Sequence, residues 1–343
     1  MQPEPTLDQL RQTSLFDRVP EVWRTPLLTL AACTAALMVL AAREWGEMFH
    51  QWWNIDTYNH ILLIPFIIGW LVKMKLDALS ALAPKPWLPG AGLVAAGLGL
   101  WLAGRVTDIN LIAHAGAVGA VQGAVVAILG LRISYFLALP LCFAALLVPF
   151  GDEIVPPLQM ITADIAIALT LWSGVPAEID GIYINTPVGL FIVAEACSGV
   201  KFLIAMVTLA VLVCFTRFDS WMRRAVFMLA AIIIPIVANG IRAWGTIFIA
   251  QSQGVEFAAG FDHIFYGWIF FAIVVALVLV CAWRYFEREP EEYGWSVEEV
   301  DALPFASSAA KSKASPIVVL SLIAAFVVAA GIAAAIVAPA AIG

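Results

Sequence analysis

Long apolar runs separated by short polar stretches dominate this chain, and about 20 consecutive apolar residues make a helix long enough to cross a bilayer core of about 30 Å. Such runs fall at 26–42, 58–72, 87–104, 109–131, 134–150, 199–216, 225–250, 264–283 and 316–338. The pattern predicts a spanning helix at each, the second of them short at its polar end. One further stretch, 154–173, is apolar enough to span but contains Pro156, Pro157, Gln159 and Asp164. It either crosses or lies on, or dips into, the interface.

Charge decides between these paths, because moving one span inverts everything after it. With a cytoplasmic N-terminus and 154–173 not crossing, 14 of the 18 basic residues fall on the cytoplasmic side. Only Arg43 and Arg105 lie outside, and Lys201 and Arg242 fall within spans. Crossing at 154–173 as an extra span would expel the basic residues from Arg217 to Lys313, so the nine-span path is preferred. It places 151–198 on the outer face. There, SGVPAEIDGIYINTPVGLFIV has Gly and Pro punctuation and partial alternation, which predicts a short hairpin or extended segment.

The expected architecture is therefore an all-α polytopic membrane protein. About eight transmembrane helices form the core and one more lies at the C-terminus, with the outer hairpin and an interfacial helix preceding Cys197. Residues 1–25 form a cytoplasmic segment, 26–284 a transmembrane domain, 285–315 an acidic, solvated cytoplasmic linker and 316–338 an additional helix. The first apolar run is followed by Arg43-Glu44-Trp45-Gly46-Glu47 rather than a small-residue cleavage site, so it is expected to stay as an anchor.

Composition agrees. Of 343 residues 62% are hydrophobic and 13% charged, and the mean hydropathy is +0.94; a water-soluble fold could not hide that much apolar side chain. A net charge of −7 and a pI near 5.1 give no electrostatic footprint for nucleic acid. The five cysteines show no CxxC pair and no Cys/His metal spacing, so neither a disulfide framework nor a metal or other cofactor is expected.

Ionisable groups inside or at the edge of a span are costly and point to function. Three places share the outer side. In Glu195-Ala196-Cys197-Ser198-Gly199 a polar-flanked cysteine stands near a helix N-terminus, which favours a thiolate, and Lys201 is expected one helical turn below on the same face. The bland alternative is a helix start with a packed cysteine. Asn239-Gly240-Ile241-Arg242 puts an arginine in the outer half of a span, where it must be paired, snorkel to the outer interface or face a wet cavity; the bland alternative is a structural ion pair, for instance to Glu195 or Asp164. Phe261-Asp262-His263 opens the next span with a histidine able to carry protons near neutral pH. Cys197, His263 and Arg242 together supply a nucleophile, a proton carrier and a cation for a developing oxyanion. His114, mid-span among small residues, is expected to be packed and hydrogen-bonded.

The block EACSGVKF, the NGIR element and the histidine opening the next span resemble the signature of the exosortase/archaeosortase family of membrane cysteine transpeptidases. Tyr58-Asn59-His60-Ile61 is similar to that family's Tyr-Ser-His-Gly element, with Asn59 and Ile61 in place of Ser and Gly; Lys201 stands where an arginine is common. The resemblance covers roughly residues 45–285. It implies a catalytic Cys197, Arg242 and His263, with Glu195, Ser198, Gly199, Lys201, Asn239 and His60 in support. It further implies cleavage of exported proteins that carry a C-terminal sorting signal: a short motif such as Pro-Glu-Pro, an apolar helix and a basic tail. The expected setting is a bacterial inner membrane, with the site on the periplasmic face, an unknown acceptor nucleophile, and a link to exopolysaccharide or cell-surface assembly. The rival reading is a transporter or export accessory in which Arg242 and Lys201 line an anionic solute path.

Overall fold

The structure, a computed structural model, describes residues 19–255, 267–304 and 314–337, apart from the side chains of Ala196 and Val337. It is 78% helical, with seven to eight candidate membrane spans among the described residues, an all-α polytopic membrane protein. In chain order the helices are α1 (Glu21–Leu40), α2 (Ala42–Asn54), α3 (Ile64–Met74), α4 (Leu76–Ser80), α5 (Leu88–Thr107), α6 (Asn110–Leu129), α7 (Leu131–Phe136), α8 (Ala138–Phe143) and α9 (Val155–Trp172). Three strands follow, β1 (Glu178–Asp180), β2 (Tyr183–Thr186) and β3 (Gly189–Ile192). The chain continues through α10 (Val200–Arg217), α11 (Trp221–Gln253), α12 (Gly267–Trp283), α13 (Val297–Ala302) and α14 (Pro316–Val337). Two compact units are distinguished, one of residues 1–54, 61–149 and 294–343, the other of 55–60 and 150–293.

The first unit is organised by α5 and α6, whose glycines bring the backbones into contact. A Cβ at Gly116 would run into the backbone of Trp101, one at Gly97 into Ala120 and one at Gly104 into Ala113. Small residues of this kind replace the hydrophobic driving force that lipid does not provide. Asp108, at φ 55°, turns α5 into α6. The charged residues of α2 pair within this unit. Arg43 Nε donates to Glu47 Oε1 at 2.8 Å, His114 Nε2 lies 3.3 Å from Glu47 Oε2, and the buried Glu44 sits 3.7 Å from Arg105. His114 thus has the partner its setting demands.

The single span expected at 134–150 is replaced by α7, α8 and a 3-10 turn over Ala144–Leu147. Pro140 has no N–H to give the carbonyl one turn earlier, so the helix ends at Phe136 and restarts at Ala138. The span expected at 58–72 is the helical stretch Asn59–Met74, which meets α2 at 108°. The acidic stretch near 300 is not simply solvated. Ser296 and Glu299 form a reciprocal cap that starts α13, Val300 is buried, and Arg132 holds Asp301 through two 2.6 Å hydrogen bonds.

The second unit packs α9, α10 and α12 around α11, a helix of 33 residues. Where α10 ends and α11 begins, arginines fasten the connection: Arg217 to Glu289 at 3.0 Å, Arg288 to Asp219 at 2.9 Å, and Arg224 to the carbonyl of Phe218. The Glu287 carboxylate accepts the N–H groups of Ser220 and Asp219 and pairs with Arg223, which together hold its carboxyl below the ordinary range.

α9 does not lie across its neighbours. Thr162 meets Asn239, Ile165 meets Gly240 and Ser173 meets Trp244, so it runs beside α11 in the same direction. The expected outer hairpin is a three-stranded antiparallel meander in the order β1-β2-β3. Its inner face, with Ile184 and Val193, packs on Ala163 and Ala166 of α9 and Ile247 of α11.

Candidate active site

Strand β3 leads directly to the cysteine. Val193 makes the last sheet bond, to the Ile182 carbonyl; Ala194 is extended; and Glu195–Cys197 form one 3-10 turn closed by the Cys197 N–H on the Ala194 carbonyl at 2.8 Å. Gly199 then takes the left-handed conformation, φ 80°, and α10 starts at Val200. Its early N–H groups are partly satisfied: the Ser198 hydroxyl accepts from Val200 at 3.4 Å, and the Gly199 carbonyl accepts from Phe202 and Leu203.

Cys197 therefore sits in the turn before the helix, not on its first turn. The expected alignment of Lys201 one turn below Cys197 does not occur, because positive φ at Gly199 redirects the chain between them. The Lys201 ammonium lies 5.2 Å over the Phe202 ring, and no bond joins it to Cys197.

Asn239 is the centre of the arrangement. It is 3% exposed, and its side-chain amide donates to the Cys197 carbonyl at 2.7 Å and to the Thr162 hydroxyl at 3.1 Å. Its oxygen accepts from Arg242 Nη2 at 3.3 Å. One side chain thus spans the cysteine turn, α9 and the arginine. This close approach explains Gly199, where a Cβ would stand 2.7 Å from Asn239 Cγ, and Gly240, which leaves room for Ile165. Thr162 in turn donates to the Ser198 carbonyl at 3.4 Å.

Arg242 is buried at 9% exposure, one helical turn beyond Asn239. Its guanidinium lies 6.0 Å from the Phe202 ring centroid, and Phe202 stacks on Phe271 of α12 at 4.8 Å. A Cβ on Gly267 would lie 3.8 Å from Arg242 Nη1, so the start of α12 reaches the guanidinium. Neither Glu195 nor Asp164 is paired with Arg242; both side chains are exposed.

Of the residues singled out from the sequence, Cys197, Ser198, Gly199, Asn239 and Arg242 come together. His263 lies outside the described residues. His60 belongs to the second unit but keeps to its own turn, with Nδ1 3.0 Å from the Thr57 carbonyl, beside Tyr58, which donates to Asp152 at 2.7 Å. Sequence reasoning missed Thr162 and Gln159, whose amide donates to the Val193 carbonyl at 2.6 Å and pins the end of β3. Their signal was faint: polar residues at 159 and 162 on an otherwise apolar segment, three apart and so on one helical face. Among the described residues, no group of His, Cys, Asp or Glu could hold a metal ion.

The fold and this constellation define a polytopic membrane protein with a cysteine and an arginine joined through a buried amide. Comparison with known families matches residues 52–280 to the transmembrane exosortases, and the chain belongs to that family. No curated protein and no solved structure matches it.

Proposed function

We propose that this exosortase is a cysteine transpeptidase or protease that cuts a C-terminal sorting signal from exported proteins at the outer face of a bacterial inner membrane. The observation that carries the reading is the Asn239 bridge, which fixes the Cys197 turn and the Arg242 guanidinium to one another. A packed structural cysteine has no need of such a bridge.

In the mechanism, the Cys197 thiolate attacks the scissile carbonyl, and negative charge develops on the carbonyl oxygen. Arg242 donates to that oxyanion, from a site where burial strengthens the interaction. Collapse forms a thioester on Cys197 and breaks the C–N bond, with His263 giving its proton to the leaving amine. An acceptor nucleophile, or water, then attacks the thioester and restores the thiol.

The orientation is supported by charge. No Lys or Arg lies between 133 and 173, so the tally of basic residues is the same whether the chain crosses by the broken stretch 131–147 or by α9. Either path leaves Cys197 outside. Asn239 stands 18 residues along α11 from Trp221, about 27 Å at 1.5 Å per residue, which puts the site just below the outer edge of a core about 30 Å thick. A substrate with an apolar helix and a basic tail would then have its tail inside and its motif at the level of Cys197. The link to exopolysaccharide or cell-surface assembly belongs to this reading.

The test is a tagged, exported reporter that carries such a C-terminal signal, expressed with the protein or with Cys197→Ala. Loss of processing in the variant, with normal membrane insertion, is the expected result. Full processing by Cys197→Ala would end the proposal.

A further inference from the structure

The meander has two edges, and they differ. In an antiparallel ladder, alternate residues point their N–H and C=O groups at the neighbouring strand and the rest point away. Val193 donates to Ile182, so Phe191 and Gly189 also face β2, while Leu190 and Ile192 turn their backbone groups to the open side of β3. Among the described residues nothing pairs with those groups. On the other edge, β1 presents Ile179 outward between Glu178 and Asp180.

Proteins guard free edges with charges, proline or bulges, because an unguarded edge accepts another strand. β1 has two carboxylates. β3, Gly-Leu-Phe-Ile, has no charge and no proline. The inner face of the sheet is buried against α9 and α11, and Gln159 pins the last carbonyl of the strand, so the open edge is held firmly. The backbone groups of an edge also cannot be left against lipid hydrocarbon.

We propose that β3 is the substrate-binding strand: the exported protein's recognition segment pairs with Leu190 and Ile192 as a fourth, extended strand and is led by it to Cys197. The proposal rests on the peptide-cleaving reading above and names how that peptide is held. Continuity of chain carries it. From Ile192 to Cys197 the protein runs two extended residues and one 3-10 turn, about 13 Å at 3.3 and 2.0 Å per residue. A peptide bonded to the Ile192 backbone therefore presents a bond three or four residues away to the thiol. Backbone pairing supplies affinity, and the side chains beside Leu190, Ile192 and Tyr183, all about half exposed on the outer face, supply selection. A proline in the ligand is accepted only at positions whose N–H points away from β3.

The test uses the tailed reporter in whole cells with four proteins: wild type, Ile192→Pro, Ile192→Thr and Ile179→Pro. Proline at 192 deletes only an outward N–H, which an edge strand tolerates, but blocks pairing. Processing is expected to fall about tenfold or more in Ile192→Pro, in line with loss of an interstrand hydrogen bond and its neighbour. Ile192→Thr should lose no more than about threefold, and Ile179→Pro on the guarded edge should match wild type. Equal losses in the Pro and Thr variants would mean that the apolar face seats on lipid, and would overturn the proposal. So would wild-type processing by Ile192→Pro. Absence of processing by the wild type would overturn the cleavage reading and this one with it. Should Ile192→Pro fail to accumulate, a photo-crosslinking benzoylphenylalanine at Leu190 in the Cys197→Ala protein decides. Adducts in the reporter's motif support the strand, and adducts only in its apolar helix or in lipid contradict it.

Discussion

Replacing Gly199 by alanine tests the packing that joins the cysteine turn to the arginine. Two costs are expected. The first is intrinsic, about 1 kcal/mol for placing a Cβ at positive φ. The second is a collision: the new Cβ would stand 2.7 Å from Asn239 Cγ and 2.8 Å from its nitrogen, and Asn239 is held by three hydrogen bonds and cannot swing away freely. Overpacking of this kind costs about 2 kcal/mol, for a total near 3. Asn239→Ala removes the three bonds at about 1 kcal/mol each, again near 3. If the two effects were independent, the double variant would lose about 6 kcal/mol. Without the Asn239 amide the two closest contacts vanish and only its Cβ, at 3.1 Å, remains, so the double variant should lose only about 4, a coupling near 2 kcal/mol. Unfolding of purified protein by sodium dodecyl sulfate, for all four members of the cycle, measures it. Additivity within about 0.5 kcal/mol would refute the contact between Gly199 and Asn239.

Arg242→Lys keeps the charge but loses the planar fork that reaches both Asn239 and an oxyanion, and reporter cleavage should fall by about 100-fold; cleavage within threefold of wild type would remove Arg242 from the chemistry. In the first unit, Gly116→Ala must push α6 off the backbone of Trp101 and should lower unfolding stability by about 3 kcal/mol, whereas Gly119→Ala, with nothing within 4 Å, should be neutral. Arg132 holds the Asp301 carboxyl below its ordinary value, chiefly through the hydrogen bonds between them. A depressed carboxyl contributes docking above its unfolded value and loses it as pH falls through the folded one. Amide protection factors across 297–302, with the intrinsic exchange rate at each pH divided out, should therefore be unchanged from pH 7 to 5 and fall below about pH 4; in Asp301→Asn they should already be lowered at pH 7.

Most of the spans, and the residues that meet at Asn239, were legible because both are written in single residue types. Lipid requires long apolar runs, and within them Cys197, Asn239 and Arg242 stand out by their cost. What escaped depended on backbone geometry. Pro140 breaks the expected fifth span, a local effect that an apolar window averages away. The positive φ of Gly199 turns Lys201 away from Cys197, where helical spacing alone would align them. Thr162 and Gln159 act through partners 77 and 34 residues distant, and no period in the sequence signals such a pairing. The acidic stretch near 300 looked solvated because its charges are plain in the sequence while its buried Val300 and its partner Arg132 are not.

The most direct measurement is to trap the acyl intermediate. With the tailed reporter and no acceptor, the account expects a covalent adduct between the protein and the N-terminal part of the reporter, attached at Cys197 and released by neutral hydroxylamine as a thioester must be. An adduct mapped to another residue, or reporter cleavage at the wild-type rate by Cys197→Ala, would contradict it.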